Sequence, residues 1–409
     1  MLLRSTRAGA PPVGFSAAME RGLAPDGGLY VPEQLPQIDS DDPVRLLEPF
    51  FAGDPLAPEL PDICSEAGSF PLPLALRGRH AVLELFHGPT AAFKDVGAQF
   101  LAQCVRRRGG ERSILVATSG DTGSAVAAAF HEMPGVRVGI LFPRDGVSAR
   151  QRHQLTCWGG NVTAFSVSGT FDDCQRILKE ALSDRTFTAA HNLTTANSVN
   201  IARLLPQVGY YATASLTFRQ QRDATPDVVI PSGNLGNATA CLWAKRMGLP
   251  IGRVVLATNA NRTISDYFAT GRWEPRAARR TLANAMDVGN PSNMERILDL
   301  YPNSAALRDD VTAVSVTDAE IERTIREEFA EGGNLFDPHT ATAVRAAHDL
   351  GLTKCIVVAT AHPAKFDAIV EPLIGQAVAV PPALATLLAR PTESLDIEAN
   401  LDELARAWR

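Results

Sequence analysis

Lys94 stands at the end of a turn, His87-Gly88-Pro89-Thr90-Ala91-Ala92-Phe93, that follows the apolar run Val82-Leu83-Glu84-Leu85-Phe86. Only five of the 39 basic residues are lysines, at 94, 179, 245, 354 and 365. A lysine beside Phe93 and behind two alanines is not routine surface charge. Partial burial pushes its amine toward the neutral form, the nucleophile that a Schiff base requires. Alone, the same pattern also fits a surface lysine whose head stays in water. Other segments decide between the two.

Thr118-Ser119-Gly120-Asp121-Thr122-Gly123 follows an apolar run and opens a stretch rich in small residues. Backbone N–H groups at such a strand-to-helix junction favour an anion, and Ser119 and Thr122 add hydroxyl donors. The segment also reads as a tight turn in which Gly120 and Gly123 supply unusual dihedrals. Pro231-Ser232-Gly233-Asn234-Leu235-Gly236-Asn237 repeats the arrangement after Val228-Val229-Ile230. It is neither a P-loop nor a dinucleotide fingerprint, because GKS/T is absent and its glycines lie three apart. It suits a single phosphate held by consecutive amides. Two such turns with one apolar-flanked lysine suggest a phosphorylated aldehyde cofactor and an anionic substrate.

Asn197, Asn200 and Arg203 fall at helical spacing in Asn197-Ser198-Val199-Asn200-Ile201-Ala202-Arg203. Polar amides beside Ile201 and Leu204 suggest a lined pocket, and arginine is the usual fork for phosphate. Thr360 ends a run that begins near Cys355, where ligands sit in open α/β sheets. It also reads as an ordinary β-branched strand residue, and His362 as a loop histidine.

The elements that must position these residues alternate. Strands are expected at 113–118, 136–142, 162–167, 227–230, 254–257 and 355–359, and helices at 124–133, 150–158 and 171–182. Such alternation predicts parallel sheets with helices on both faces. Thr317-Asp318-Ala319-Glu320 is a capping box, followed by Ile321, Ile325 and Phe329 on one face and a stop at Gly332-Gly333. The first eighty residues are rich in proline and glycine and read as an elaboration on a larger core. Within them, Phe15–Arg21 predicts a short helix stopped by Gly22, and Gly27–Pro32 a turn and a short strand.

Composition narrows the function classes. The chain has 409 residues, 45% of them apolar and 21% charged, and a net charge of −6. No basic stripe tracks a phosphate backbone, so nucleic acid is not an expected partner. No apolar run is long enough to span a membrane, and the N-terminus lacks a long apolar leader region. The six cysteines have no framework spacing and read as reduced thiols in a cytoplasmic protein. With no HExxH and no HxH pair among eight histidines, no metal is expected. The sequence gives no oligomeric state.

Taken together, the motifs resemble the threonine synthases, in the group shared by enterobacterial and fungal enzymes, within the β-family (fold type II) of pyridoxal-phosphate enzymes. The matching stretches are FHGPTAAFKD (86–95), TSGDTGSA (118–125), NSVNIAR (197–203), PSGNLGN (231–237), MDVGNPSN (286–293), FDPHTA (336–341) and ATAHPAKF (359–366). GLAPDGGLYVPE (23–34) fits the family's N-terminal portion. Related synthases and dehydratases carry Asn where Asp121 stands here.

The resemblance implies an α/β fold of two open, mostly parallel twisted-sheet domains with an N-terminal elaboration. Residues 1–80 would form the elaboration, 81–110 and 216–409 a large cofactor-binding domain, and 111–215 a small mobile domain. It implies pyridoxal 5′-phosphate as cofactor, held as an aldimine on Lys94. The amides of Gly233, Asn234, Leu235 and Gly236, with Ser232, would hold the cofactor phosphate, and Thr360 would bond the pyridine nitrogen. Ser119, Asp121 and Thr122 would meet the substrate carboxylate and the cofactor's 3′-oxygen side. Asn197, Ser198 and Arg203 would grip the substrate phosphate. The implied reaction converts O-phospho-L-homoserine and water to L-threonine and phosphate. Two alternatives stay open: a phospho-lyase that releases 2-oxobutyrate, and a non-catalytic binding protein on the same fold.

Overall fold

The computed structural model describes residues 1–408. Short runs of Val, Ile, Leu and Ala form most of its strands, because such runs suit a sheet covered on both faces. In chain order these are β1 (Leu3–Ser5), β2 (Tyr30–Pro32), β3 (Leu74–Arg77), β4 (His80–Glu84), β5 (Arg112–Ala117), β6 (Val136–Pro143) and β7 (Val162–Ser168). They continue as β8 (Leu193–Thr195), β9 (Asp227–Pro231), β10 (Val254–Thr258), β11 (Val311–Ser315), β12 (Cys355–Ala359) and β13 (Leu395–Glu398).

Two sheets result. The first has the order β11-β10-β9-β12-β4-β3 and is parallel except at the β3–β4 edge. The second has the order β13-β7-β6-β5-β8 and is parallel throughout. The expected strands and helices fall within a few residues of the observed ones. The capping box forms at Thr317, and Gly333 closes that helix in the left-handed region at φ 65°. Helix Phe15–Arg21 ends at Gly22 as its sequence predicts.

The chain end departs from the division read in the sequence. β13 pairs with β7, and Trp408 packs edge-on to Phe165 at 6.2 Å between centroids. Residues 395–408 therefore belong with the second sheet and not with 216–394. β13 buries one side chain, Ile397, in the short alternation Leu395-Asp396-Ile397-Glu398.

The helix Lys94–Arg108 leaves the first sheet and packs on the helix Asp121–Phe130 of the second. The N-terminal elaboration covers its outer side. Phe15 and Phe51 lie 4.1 Å apart between ring centroids, and both meet Phe100 of that helix edge-on at 6.5 and 6.2 Å. All three rings are buried. Among the described residues no helix is long and apolar enough to cross a membrane.

The aromatic trio predicts that Phe51→Ala destabilises the apo protein by about 3–5 kcal/mol, the range for deleting a buried ring. Urea titration followed by tryptophan fluorescence measures this. A loss below about 1 kcal/mol would mean that the elaboration is not packed as described.

Candidate active site

Five loops meet at the carboxyl ends of parallel strands: 85–93 after β4, 118–120 after β5, 196–200 after β8, 232–235 after β9 and 360–362 after β12. Each strand hands its loop to the same crevice, where ligands sit in open α/β sheets.

Lys94 is the first residue of its helix and is half-buried, its amine 4.6 Å from the centre of the Phe93 ring. The turn before it is pinned on both sides. Phe93 N donates to Thr360 O at 2.9 Å, and His362 N donates to Ala91 O at 3.0 Å. Thr90 donates its amide and its hydroxyl to Asp95, at 2.9 and 2.6 Å. Burial is the largest influence on the Lys94 amine. With Lys365 and Arg203 nearby, it lowers the amine to about 8 against the opposing pull of Asp121.

Asp121 is the only carboxylate lining the crevice among the described residues. Its Oδ1 accepts from Lys365 Nζ at 2.9 Å and from Gln151 Nε2 at 3.1 Å. Burial alone would raise this carboxyl, but Lys365 and Lys94 outweigh it and hold it well below the usual carboxylate range. Lys365 is fully buried and donates also to Thr90 O at 2.8 Å. It follows β12 of the first sheet, whereas Asp121 starts a helix of the second, so this ion pair joins the two lobes above Lys94. The sequence reading missed Lys365. Its signal was present in the scarcity of lysine and in its apolar neighbours Ala364 and Phe366.

The turn after β9 has two parts. Ser232 gives its amide to Ala257 O and its hydroxyl to Ile230 O, both at 2.8 Å. It therefore shapes the turn from within. Among the described residues, the next four amides, of Gly233, Asn234, Leu235 and Gly236, have no hydrogen-bond acceptor. A Cβ on Gly233 would stand 2.8 Å from the Met286 backbone, so that glycine is required by the protein's own packing. Asn234 is held by Ser292 N at 2.6 Å and by Ser198 Oγ at 3.0 Å.

The turn after β5 divides similarly. Thr118 Oγ1 accepts from the amides of Gly120 and Gly123 at 2.9 and 3.0 Å. Ser119 and Thr122 line the crevice with hydroxyls that have no partner among the described residues. A Cβ on Gly120, whose φ is 136°, would lie 2.6 Å from Gln151 Nε2, the group that reaches Asp121. The turn thus serves both of the purposes its sequence left open.

The expected helical row of Asn197, Asn200 and Arg203 does not form. The helix is only Ile201–Leu204, and Asn200 is its N-cap. Asn200 donates to Met19 O and Thr195 O, away from the crevice. Asn197 spends its amide on the end of β5, with Nδ2 to Ala117 O at 2.7 Å and Oδ1 from Ala117 N at 3.1 Å. Ser198 Oγ accepts from Asn234 and Asn293, both at 3.0 Å, and keeps its proton to donate. Arg203 is buried, donates to Ala196 O and to Lys94 O, and leaves Nε without an acceptor. Burial lowers it to about 10, offset in part by Asp95. Thr360 is buried at the crevice floor, and its hydroxyl has no partner among the described residues.

Lys94, Lys365 and Arg203 stand near two carboxylates, Asp121 in the crevice and Asp95 behind it, so basic groups outnumber acidic ones around the crevice. Unpaired amides and hydroxyls stand on both sides of the lysine. Such a set fits a ligand with an aldehyde at Lys94 and a phosphate at Gly233–Gly236, and leaves donors for a second anion.

The class of protein follows from this site and from its likeness to known proteins. Residues 77–360 match the family "Pyridoxal-phosphate dependent enzyme". Residues 3–53 match "Threonine synthase N terminus", and residues 340–407 match "Threonine synthase, C-terminal". Threonine synthase from Serratia marcescens is 38% identical over 96% of each chain. The crystal structure of threonine synthase from Escherichia coli superposes with a TM-score of 0.95 at 36% identity, covering 100% of this chain and 99% of that one. The PLP-bound threonine synthase from Brucella melitensis gives 0.90 at 36% identity, covering 100% and 98%. The chain belongs to the threonine synthase family of pyridoxal-phosphate-dependent enzymes.

Two predictions follow from the charges. A lowered amine reacts from its neutral form, so covalent capture of pyridoxal 5′-phosphate by the apo protein should accelerate with pH through a midpoint near about 8. Stopped-flow absorbance measures it, and a midpoint above pH 10 would mean an unperturbed lysine. Asp121→Asn leaves Lys365 buried without its partner and should cost about 3–5 kcal/mol in urea unfolding. It also removes the charge that raises Lys94, so the capture midpoint should move below that of the parent. Adding Lys365→Met to Asp121→Asn should restore part of the stability, and an additive further loss would show that the pair is not coupled.

Proposed function

We propose that this chain converts O-phospho-L-homoserine and water to L-threonine and phosphate. The observation that carries the reading is the pair of amide-rich turns, one from each sheet, on either side of a lysine held near neutrality. One turn suits the cofactor phosphate and the other the substrate carboxylate. The cationic surplus suits the second phosphate that this substrate brings.

When bound, pyridoxal phosphate supplies the sink for electrons released at the substrate's Cα. The residues of the chain do the rest. The amides of Gly233, Asn234, Leu235 and Gly236 hold the cofactor phosphate. Thr360 gives the ring nitrogen a neutral hydroxyl partner, which cannot stabilise a charged pyridinium as a carboxylate would. Ser119 and Thr122 donate to the substrate carboxylate. Asp121 would meet the cofactor's 3′-oxygen side through the oxygen that Lys365 and Gln151 leave free. Ser198 and Arg203 hold the substrate phosphate, with Asn197 bracing the loop that carries them.

Lys94 takes the proton from Cα and next moves one at Cβ, work for an amine whose proton affinity lies near the working pH. Phosphate leaves from Cγ, Cγ then gains a proton, and water adds its hydroxyl at Cβ. Water must be kept out before that step, and the Lys365–Asp121 bridge across the lobes is the contact that closes the crevice. Unpaired cysteines throughout support a reducing, cytoplasmic setting.

Incubation with O-phospho-L-homoserine should yield threonine and phosphate in equal amounts. Release of 2-oxobutyrate in place of threonine would overturn the reading in favour of a phospho-lyase. Arg203→Ala should lower kcat/KM for the phosphorylated substrate by roughly tenfold to a hundredfold, as expected for about 1.5–3 kcal/mol of lost charge-assisted bonding. A spectral titration with L-threonine, which has no phosphate, should be nearly unchanged. Equal losses toward both ligands would mean that Arg203 acts through the Lys94 carbonyl and not on the phosphate.

A further inference from the structure

Three side chains from three distant parts of the chain converge at the amino end of β4, the end remote from the crevice. His80 begins β4, Glu328 lies in the helix Asp318–Gly332, and His348 lies in the helix Pro338–Asp349. His80 Nε2 is 3.0 Å from Glu328 Oε1. His348 Nε2 is 3.3 Å from the same oxygen and 3.3 Å from His80 Nε2. The three atoms therefore form a nearly equilateral triangle.

Imidazole N–H groups can donate to that shared oxygen, and the same three atoms are also spaced as ligands of a single ion. Two ring nitrogens 3.3 Å apart face one carboxylate oxygen, and each nitrogen has either one proton or one lone pair to offer. His348 Nε2 also lies 2.8 Å from Arg79 Nη2, and Arg79 Nε is 3.5 Å from His80 Nε2. Arginine only donates, so the 2.8 Å contact calls for a lone pair on His348 Nε2, the form in which imidazole ligates a metal. Tetrahedral ligation with bonds of 2.0–2.1 Å sets ligand atoms about 3.3 Å apart. Asn334 Nδ2 holds the other carboxylate oxygen at 2.9 Å, the kind of outer contact that orients a ligand.

We propose that His80, Glu328 and His348 form a zinc site, with a fourth position open to water from the adjoining surface groove. The Arg79 side chain is 66% exposed, and its guanidinium brings positive charge to the edge of the triangle. Zinc displaces it into solvent. The ion would tie β4 to two helices. The second of these begins beside Asp337 and His339, and His339 Nε2 accepts from Ala285 N at 3.1 Å in the wall of the crevice. The site thus braces the far end of a helix whose near end shapes the cofactor pocket, and takes no part in the reaction itself.

The holoenzyme, freed of metal with a chelator and titrated with ZnCl2 against a chromophoric zinc indicator, tests this. The expected result is one zinc per chain with Kd of about 1 µM or tighter, and a rise in Tm of about 3 °C or more at saturation. His348→Ala, at a half-buried position, should weaken binding by at least about tenfold and abolish the Tm rise. Glu328→Gln should do the same while cofactor absorbance reports an intact fold. Arg79→Ala should leave binding equal or tighter, because a competing cation is gone. Binding weaker than about 100 µM would overturn the proposal. So would zinc uptake that survives His348→Ala, which would point to the free thiols, or uptake that is lost in Arg79→Ala.

Discussion

Everything in the crevice depends on where one buried negative charge sits. Asp121 accepts from Lys365 and Gln151 and lies close enough to Lys94 to oppose the effect of its burial. A carboxylate removed from water is tolerated only with such partners. The partners come from both sheets, so the requirement to neutralise Asp121 also sets the spacing of the lobes. Too strong a pull on Lys94 would keep its amine charged, and the Lys365 bridge absorbs much of the field of Asp121. One charge thereby links the contact between the lobes to the proton affinity of the lysine.

Around this charge, the protein separates amides that shape a turn from amides that remain for a ligand. Thr118 and Ser232 occupy equivalent places after β5 and β9, and each spends its side chain on its own backbone. The residues beyond them are left with open donors. An unpaired buried amide is costly, and a set of them persists where a ligand supplies the acceptor. The surplus of cations over carboxylates has the same reading, since phosphate and carboxylate groups of the ligands complete the balance.

The N-terminal elaboration is part of this framework. Arg296, fully buried, donates to Tyr30 O at 3.0 Å, Ser198 O at 2.9 Å, Val199 O at 2.7 Å and Asn293 Oδ1 at 2.7 Å. One guanidinium thus fastens β2 to the loop that presents Ser198. On the other side, the Phe15–Phe51–Phe100 cluster fixes the helix that begins at Lys94. Both anchors lie behind the reacting groups, so changes there act on geometry and not on chemistry.

The sequence by itself determined the elements and singled out Lys94. Runs of apolar residues made the inner strands legible, a capping box and Gly333 bounded a helix, and Lys94 stood out by its apolar neighbours. The two glycine-rich turns were legible because short-range backbone geometry is written in consecutive residues. Other features were decided only by the tertiary structure. The row of Asn197, Asn200 and Arg203 looked helical by spacing, but the backbone turns before Ile201, and Asn197 closes the end of β5 instead. Ser232 bonds to Ala257 O on the neighbouring strand, a partner its own segment does not announce. β13 joined the second sheet through pairing with β7, which its own residues do not encode. Lys365 meets Asp121, and His80 meets Glu328 at a separation of 248 residues, with no local spacing to announce either contact. Period and propensity act over a few residues. Charge pairing and ligand-like convergence depend on which strands become neighbours, and that is settled when the sheets assemble.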